Sequence, residues 1–213
     1  TLKSNGIFNS EQAFSVMGIG PQDNIFSIDA AELEQRLKKC PAIRRASVKR
    51  QISSNPTLLV DIDARIPVAW IDCPELGIHP GDATYGALAD KEGVIFPCME
   101  QVHMPYIREK RMPSVTLRPP SSGKLSYGVS IRELEAPMKL IELLSGTVTE
   151  YLPSIVSITT PNDWSFCVRF TNDCQATFSH YGLEHQVEKL SRALRHARQT
   201  HRKISSINLI PEH

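Results

Sequence analysis

The sequence predicts an α+β protein: an N-terminal β-α-α-β-β unit over residues 1–71, then a mostly antiparallel β domain with flanking helices over residues 72–213. Three observations carry this prediction. Leu58, Val60, Ile62 and Ala64 alternate with Leu59, Asp61, Asp63 and Arg65, a period of two that marks a strand with one dry face and one wet face. Upstream, Asp29 and Glu32 open a helix that Pro41 stops. Beyond Trp70, prolines from Pro74 to Pro120 break the chain into short pieces, and period-two runs dominate from Ser154 onward.

In the first unit, Thr1 to Asn5 read as a strand ending at Gly6. Ser10 is expected to cap a short helix to Met17, with Ala13, Phe14 and Met17 on one face and Gly18, Gly20 and Pro21 closing it. Ile25 and Phe26 lead into the second helix. There Ala30, Leu33 and Leu37 share a face, and Lys38 and Lys39 suit the negative end of the helix dipole. Ala46 and Val48 alternate with Ser47 and Lys49 as a half-buried strand, and Asn55-Pro56 marks the turn. Pro67-Val68-Ala69-Trp70 leads out, with Trp70 placed to fill the joint between the two units.

In the second unit, Ser130 and Glu133 form a capping-box pattern ahead of Leu134, Met138, Ile141 and Leu144. Pro137 either kinks this helix or occupies its first turn. Ile155, Ser157 and Thr159 alternate with Val156, Ile158 and Thr160, and Pro161-Asn162-Asp163 is a turn. Phe166, Val168 and Phe170 share a strand face, the chain turns at Asn172-Asp173, and Ala176 and Phe178 follow. A helix over 183–198 carries Leu183, Val187, Leu190 and Leu194 on one stripe, and Ile204, Ile207 and Leu209 end the chain. Trp164, like Trp70, is expected in packing.

Composition narrows the function. Apolar residues make up 41% and charged residues 22%, enough for an ordinary globular core. A net charge of +1 argues against a dedicated nucleic-acid binder. No apolar run approaches the ~20 residues that span a bilayer. The chain begins at Thr1 without a signal-like segment, so it is expected to be a fragment or processed chain, monomeric as such. Five cysteines lack C-x-x-C spacing and read as small buried hydrophobes, with a Cys73–Cys98 bridge as the alternative.

Catalytic chemistry finds no setting. No H-E-x-x-H, G-x-S-x-G or G-x-x-x-x-G-K-[ST] motif is present. His180 and His185, and His196 and His201, are five apart, which is wrong for one helical face. Asp61 and Asp63 read as a solvated strand face. Lys189, Arg192, Arg195, Arg198, Arg202 and Lys203 form a basic run whose default reading is a solvated flank at a helix end. No catalytic residue, cofactor or metal is therefore assigned.

One resemblance is specific. Pro41, Ile43, Ala46, Val48 and Arg50, then Pro56, Thr57, Leu58, Val60, Ile62, Arg65, Pro67, Val68 and Ala69, resemble the POTRA module of the bacterial FtsQ/DivIB cell-division family. Ala64 stands where that family usually has Glu, and the turn over 52–55 is two residues longer. Leu88 to Phe96 resembles the family's next hairpin, Trp164 to Asp173 a later one, and Ile204 to Leu209 its closing strand. Asn208 replaces the family's Asp there, and Ile210 its Arg.

The resemblance implies a non-catalytic division-site scaffold, anchored by an upstream membrane helix and held in the periplasm. Its implied partners are FtsB-like and FtsL-like proteins. The implied mode is strand addition at the C-terminal edge, through Ser205, Ser206, Ile207, Asn208 and Leu209. Pro211 shortens that edge because it cannot donate to a ladder. Two other classes are weighed: a POTRA docking module that passes chains to an outer-membrane barrel, and an enzyme with an unrecognised hydrolytic site.

Overall fold

The computed structural model describes residues 1–20, 22–24, 26–52, 56–146 and 154–210. The readings made on Pro21, Ile25, Asn55 and Pro211 lie outside the described residues. The first unit runs β1 (Leu2–Ser4), α1 (Ser10–Met17), α2 (Ala30–Lys39), β2 (Ile43–Gln51), β3 (Thr57–Ala64). β3 is central, parallel to β1 and antiparallel to β2. Its alternating Leu58, Val60, Ile62 and Ala64 are all buried, packed with Met17, Leu33 and Leu37. The opposite face is wet: Asp61 faces Lys3 and Asp63 faces Arg45.

The helix starts differ in detail from the sequence reading. Asn9, not Ser10, caps α1: its Oδ1 accepts from the Gln12 amide at 2.9 Å, while Gln12 Oε1 accepts from the Asn9 amide at 2.8 Å. Phe14, one residue and about 100° round the helix from Ala13, points outward at 39% exposed, so Ala13 and Met17 are the buried residues of α1. Asp29 caps α2 as expected, but the Glu32 side chain turns to Arg36 at 2.7 Å instead of closing the box.

The second unit contains β4 (Ala69–Asp72), β5 (Ala87–Ala89), β6 (Ile95–Pro97), α3 (Glu100–Arg108), β7 (Ser114–Thr116), α4 (Glu135–Gly146), β8 (Ile155–Thr159), β9 (Ser165–Phe170), β10 (Gln175–Ser179), α5 (Leu183–Gln199) and β11 (Ser206–Asn208). These strands make one sheet in the order β11-β10-β9-β8-β7-β4-β5-β6. The β4–β5, β5–β6, β8–β9 and β9–β10 ladders are antiparallel; β4–β7, β7–β8 and β10–β11 are parallel.

Three expectations are corrected here. α3 is a helix where the proline-rich composition suggested strands and loops. Pro105 lies inside it, and its start is held from within, by His103 Nδ1 accepting from the Met99 amide at 2.9 Å. α4 forms with Pro137 in its first turn, where a missing N–H costs little. Ser130 does not cap it; its hydroxyl donates to the Glu92 carbonyl at 2.8 Å. Trp164 is 58% exposed, because the tight turn around Asn162 Oδ1, which accepts from the Trp164 and Ser165 amides, places it before the buried strand face begins.

Strand alternation makes the large sheet serve two cores. On β4, Ala69 and Ile71 face the core under α4 and α5, with Val115, Ile158, Phe166, Phe178 and Leu190. Trp70 faces the other way, with Leu88, Phe96, α3 residues Val102 and Ile107, and the first unit's Phe8, Met17 and Leu37. Trp70 thus fills the joint. Gly86 makes room for its ring: a Cβ there would lie 2.9 Å from Trp70 Cζ3 and 2.1 Å from the Asp82 carbonyl oxygen. The same alternation separates Cys73, in the first core, from Cys98, in the second. All five thiols are free, so the Cys73–Cys98 bridge is not formed.

An ion pair pins the joint. Arg65 Nη1 lies 2.6 Å from Asp90 Oδ2, with side chains only 12% and 7% exposed. Arg65 also donates to the Pro41 carbonyl at 3.1 Å. Asp90 Oδ1 accepts from the Glu92 and Val94 amides in the β5–β6 turn.

His103 is fully buried against Phe96, ring centroids 5.4 Å apart, and its Nε2 has no hydrogen-bond partner among the described residues. Burial lowers its pKa from 6.5 to about 4. The folded chain therefore holds the neutral ring, whereas the unfolded chain protonates near 6.5. This contribution to stability is complete above pH ~6.5 and is lost as pH falls toward ~4, by up to about 3 kcal/mol. His103→Gln, which keeps an acceptor but cannot titrate, is expected to flatten denaturant-midpoint profiles across that window. An unchanged slope would remove His103 as the cause.

Candidate functional site

The predicted site residues converge at one end of the large sheet. β10, α5 and β11 form a βαβ unit, two parallel strands joined by a helix. Gln186 sets the pose of α5. It is fully buried; its Oε1 accepts from the Ser179 amide at 2.8 Å, and its Nε2 donates to Ser179 Oγ at 2.9 Å and the Tyr181 carbonyl at 2.6 Å. Leu183, Val187 and Leu190 then bury the helix's apolar stripe. The return loop delivers β11 beside β10, in the register Gln175↔Ser206, Ala176↔Ile207, Thr177↔Asn208.

The five residues do different jobs. The Gln175 amide donates to the Ser205 carbonyl and the Leu209 amide to the Thr177 carbonyl, each at 2.9 Å. A parallel ladder alternates, so Ser205, Ile207 and Leu209 spend their backbone groups on β10. Leu209 is 1% exposed and Ile207 half-buried, both against the α5-side core. Ser206 and Asn208 are exposed, and their N–H and C=O groups point away from β10. The Asn208 side chain accepts from the Ile210 amide at 3.1 Å and turns the chain off the strand.

The other sheet edges are guarded to different degrees. At the far end of the large sheet, Gly128 donates to the Ile95 carbonyl at 2.8 Å, and Val94 bridges Ser130, so residues 128–131 cover β6. On β2, the Val48 amide donates to Glu34 Oε2 at 3.0 Å. Lys38 and then that amide hold the Glu34 carboxyl below its ordinary range. β1 is a three-residue strand at the chain's start. β11 has no such cover among the described residues. Sequence reasoning missed Gln186 and Glu34; a lone polar residue on a helix gives no sign that it reaches a strand.

Near α4 several charged groups meet in pairs. The cleft of about 680 Å³ between the β8–β9 turn and α4 is lined by Arg118, Asp163, Lys139 and His180. Arg118 pairs with Asp163 at 2.7 Å, and Lys139 lies 3.7 Å from Glu184. Burial lowers the His180 pKa against a smaller opposing effect of Asp163. Among the described residues no group of three or more His, Cys, Asp or Glu could hold a metal ion.

With this geometry in place, comparison with known families is informative. A family model described as the POTRA domain, FtsQ-type, matches residues 2–63, the β1-α1-α2-β2-β3 unit without the last residue of β3. Domains of this kind are generally non-catalytic interaction modules. No curated protein matches the chain. No helix among the described residues is long and apolar enough to cross a membrane.

Proposed function

From an FtsQ-type POTRA domain at residues 2–63, we propose that this chain is a division-site scaffold that binds FtsB-like and FtsL-like proteins outside the cytoplasmic membrane. It recruits them by strand addition at β11 and transforms no substrate. A membrane anchor upstream of this chain holds it in the periplasm, and the two structural units divide near residue 71. The observation that carries the proposal is the outer edge of β11, uncovered among the described residues, where Ser206 and Asn208 present backbone groups that β10 does not pair, on a segment seated against the core by Ile207 and Leu209. Such an edge is a template for another chain unless it is blocked.

The decisive variant is Ser206→Pro. It deletes one outward N–H and leaves the bonds to β10 intact, as proline is tolerated on edge strands. Leaving one partner carbonyl unpaired is expected to weaken capture of an FtsB-type segment about 5- to 10-fold. Ser206→Ala should bind like the parent. Capture by Ser206→Pro at parental affinity, measured by fluorescence anisotropy, would remove β11 from the mechanism. Deleting residues 204–213 is a harsher test, since it also takes Leu209 from the core.

A further inference from the structure

The helix that delivers β11 carries a concentration of positive charge. Residues 189–203 hold six of the chain's 24 Lys and Arg and none of its 23 Asp and Glu. The rest of the chain is therefore net acidic, and the near-neutral total hides a segregated cationic face. Leu183, Val187 and Leu190 turn inward on α5, so Lys189, Arg192 and Arg195 look out to solvent. Arg202 and Lys203 are likewise exposed and lead within three residues into β11. None of these five side chains makes an ion pair or hydrogen bond among the described residues. Contrast the first unit, where Lys3, Arg36, Lys38, Arg44 and Arg45 each face a carboxylate.

We infer that this face receives an acidic segment of the protein that adds its strand to β11. The inference rests on the strand-addition reading and gives the partner a chemistry. Three observations favour a polypeptide over a lipid surface. The cations run directly into the docking strand, so one ligand can reach both. Three of the five are Arg, whose planar fork grips a carboxylate with two hydrogen bonds. And α5 exposes no large apolar residue, whereas membrane-surface helices set Trp, Phe or Leu beside their cations.

The crossover fixes the polarity. β11 runs parallel to β10 and α5 runs back between them, so the cationic end of α5 lies at the N-terminal end of β11. A strand added antiparallel to β11 therefore meets Lys203 with residues on its C-terminal side; a strand added parallel meets it with residues on its N-terminal side. The acidic run sits on that side.

The test uses four synthetic peptides that share one alternating Val/Thr strand. In one pair, a Glu peptide carries its run on the C-terminal side and its twin has Gln at the same positions; the second pair carries the run on the N-terminal side. At low salt the better-placed Glu peptide is expected to bind roughly 5- to 30-fold more tightly than its Gln twin, as two or three exposed charge pairs provide. The preference should shrink in high salt and vanish in the Arg192→Glu/Arg195→Glu/Arg202→Glu chain, whose altered side chains are exposed and unpaired. Equal binding of Glu and Gln peptides overturns the inference, even if Ser206→Pro weakens both and strand addition stands. A Glu preference that survives an ineffective Ser206→Pro upholds the acidic ligand while strand addition fails. Binding to phosphatidylglycerol vesicles that the triple variant loses, stronger than binding to the Glu peptide, overturns it in favour of a membrane surface.

Discussion

Asp90→Ala is expected to destabilise the protein by about 3–5 kcal/mol, because it leaves the Arg65 guanidinium buried without its counter-ion. For a chain of this length that corresponds to a fall in Tm of about 10 °C. The pair lies 2.6 Å apart with both side chains nearly excluded from water, so solvent cannot take the place of the lost carboxylate. Asp90 has a second duty, as acceptor for the Glu92 and Val94 amides. Asp90→Asn separates the two: it retains an acceptor for the turn but removes the charge, and should recover only part of the loss. Replacing both partners, Arg65→Leu with Asp90→Leu, should recover most of the ion-pair component, since two matched apolar groups leave no orphaned charge. Calorimetric melting of the four chains checks this. A single Asp90→Ala as stable as the parent would show that the joint does not depend on the pair.

Trp70→Ala is expected to cost a similar amount, about 3–5 kcal/mol, by opening a large cavity. Trp70 is 6% exposed and packs where β4 turns its back on the α4–α5 core and meets α3 and the first unit. Gly86, pressed against its ring by the Asp82 loop, has no side chain with which to fill the void. The chain has two tryptophans, and Trp164 is 58% exposed, so Trp164→Phe isolates the signal of Trp70. In that background emission should be blue-shifted and should move red in one transition with global unfolding. A separate, earlier red shift would mean that the joint opens independently of the two cores.

Much of this fold is legible without coordinates, because its strongest elements are local. The Leu58-to-Ala64 alternation, the Asp29 cap, the Phe166-Val168-Phe170 face and the Leu183-Val187-Leu190 stripe each follow from a period or a cap within a few residues. The misreadings have different causes. α3 was hidden because Pro105 and its proline-rich surroundings argued for loop, and the contacts that keep it helical, to Phe96 and the first unit, are distant in sequence. Trp164 was placed inside by size alone, while a single Asn162 turn decided its exposure. Asn9 took the cap from Ser10 because the box closes on Gln12, a competition one residue wide.

The candidate site divides the same way. That the closing run from Ile204 to Leu209 contains a strand came from its resemblance to the family's closing strand, and that 189–203 is cationic was readable from composition. Hydrophobic period and capping are properties of neighbouring residues, so the sequence alone determined the elements and the dry face of each. Which strand stands at an edge, which edge Glu34 or residues 128–131 cover, and which of Ser205 to Leu209 keep free backbone groups depend on pairings far along the chain. Those were decided only by tertiary structure, because a hydrogen-bond ladder is shared between strands and no single strand specifies its neighbour.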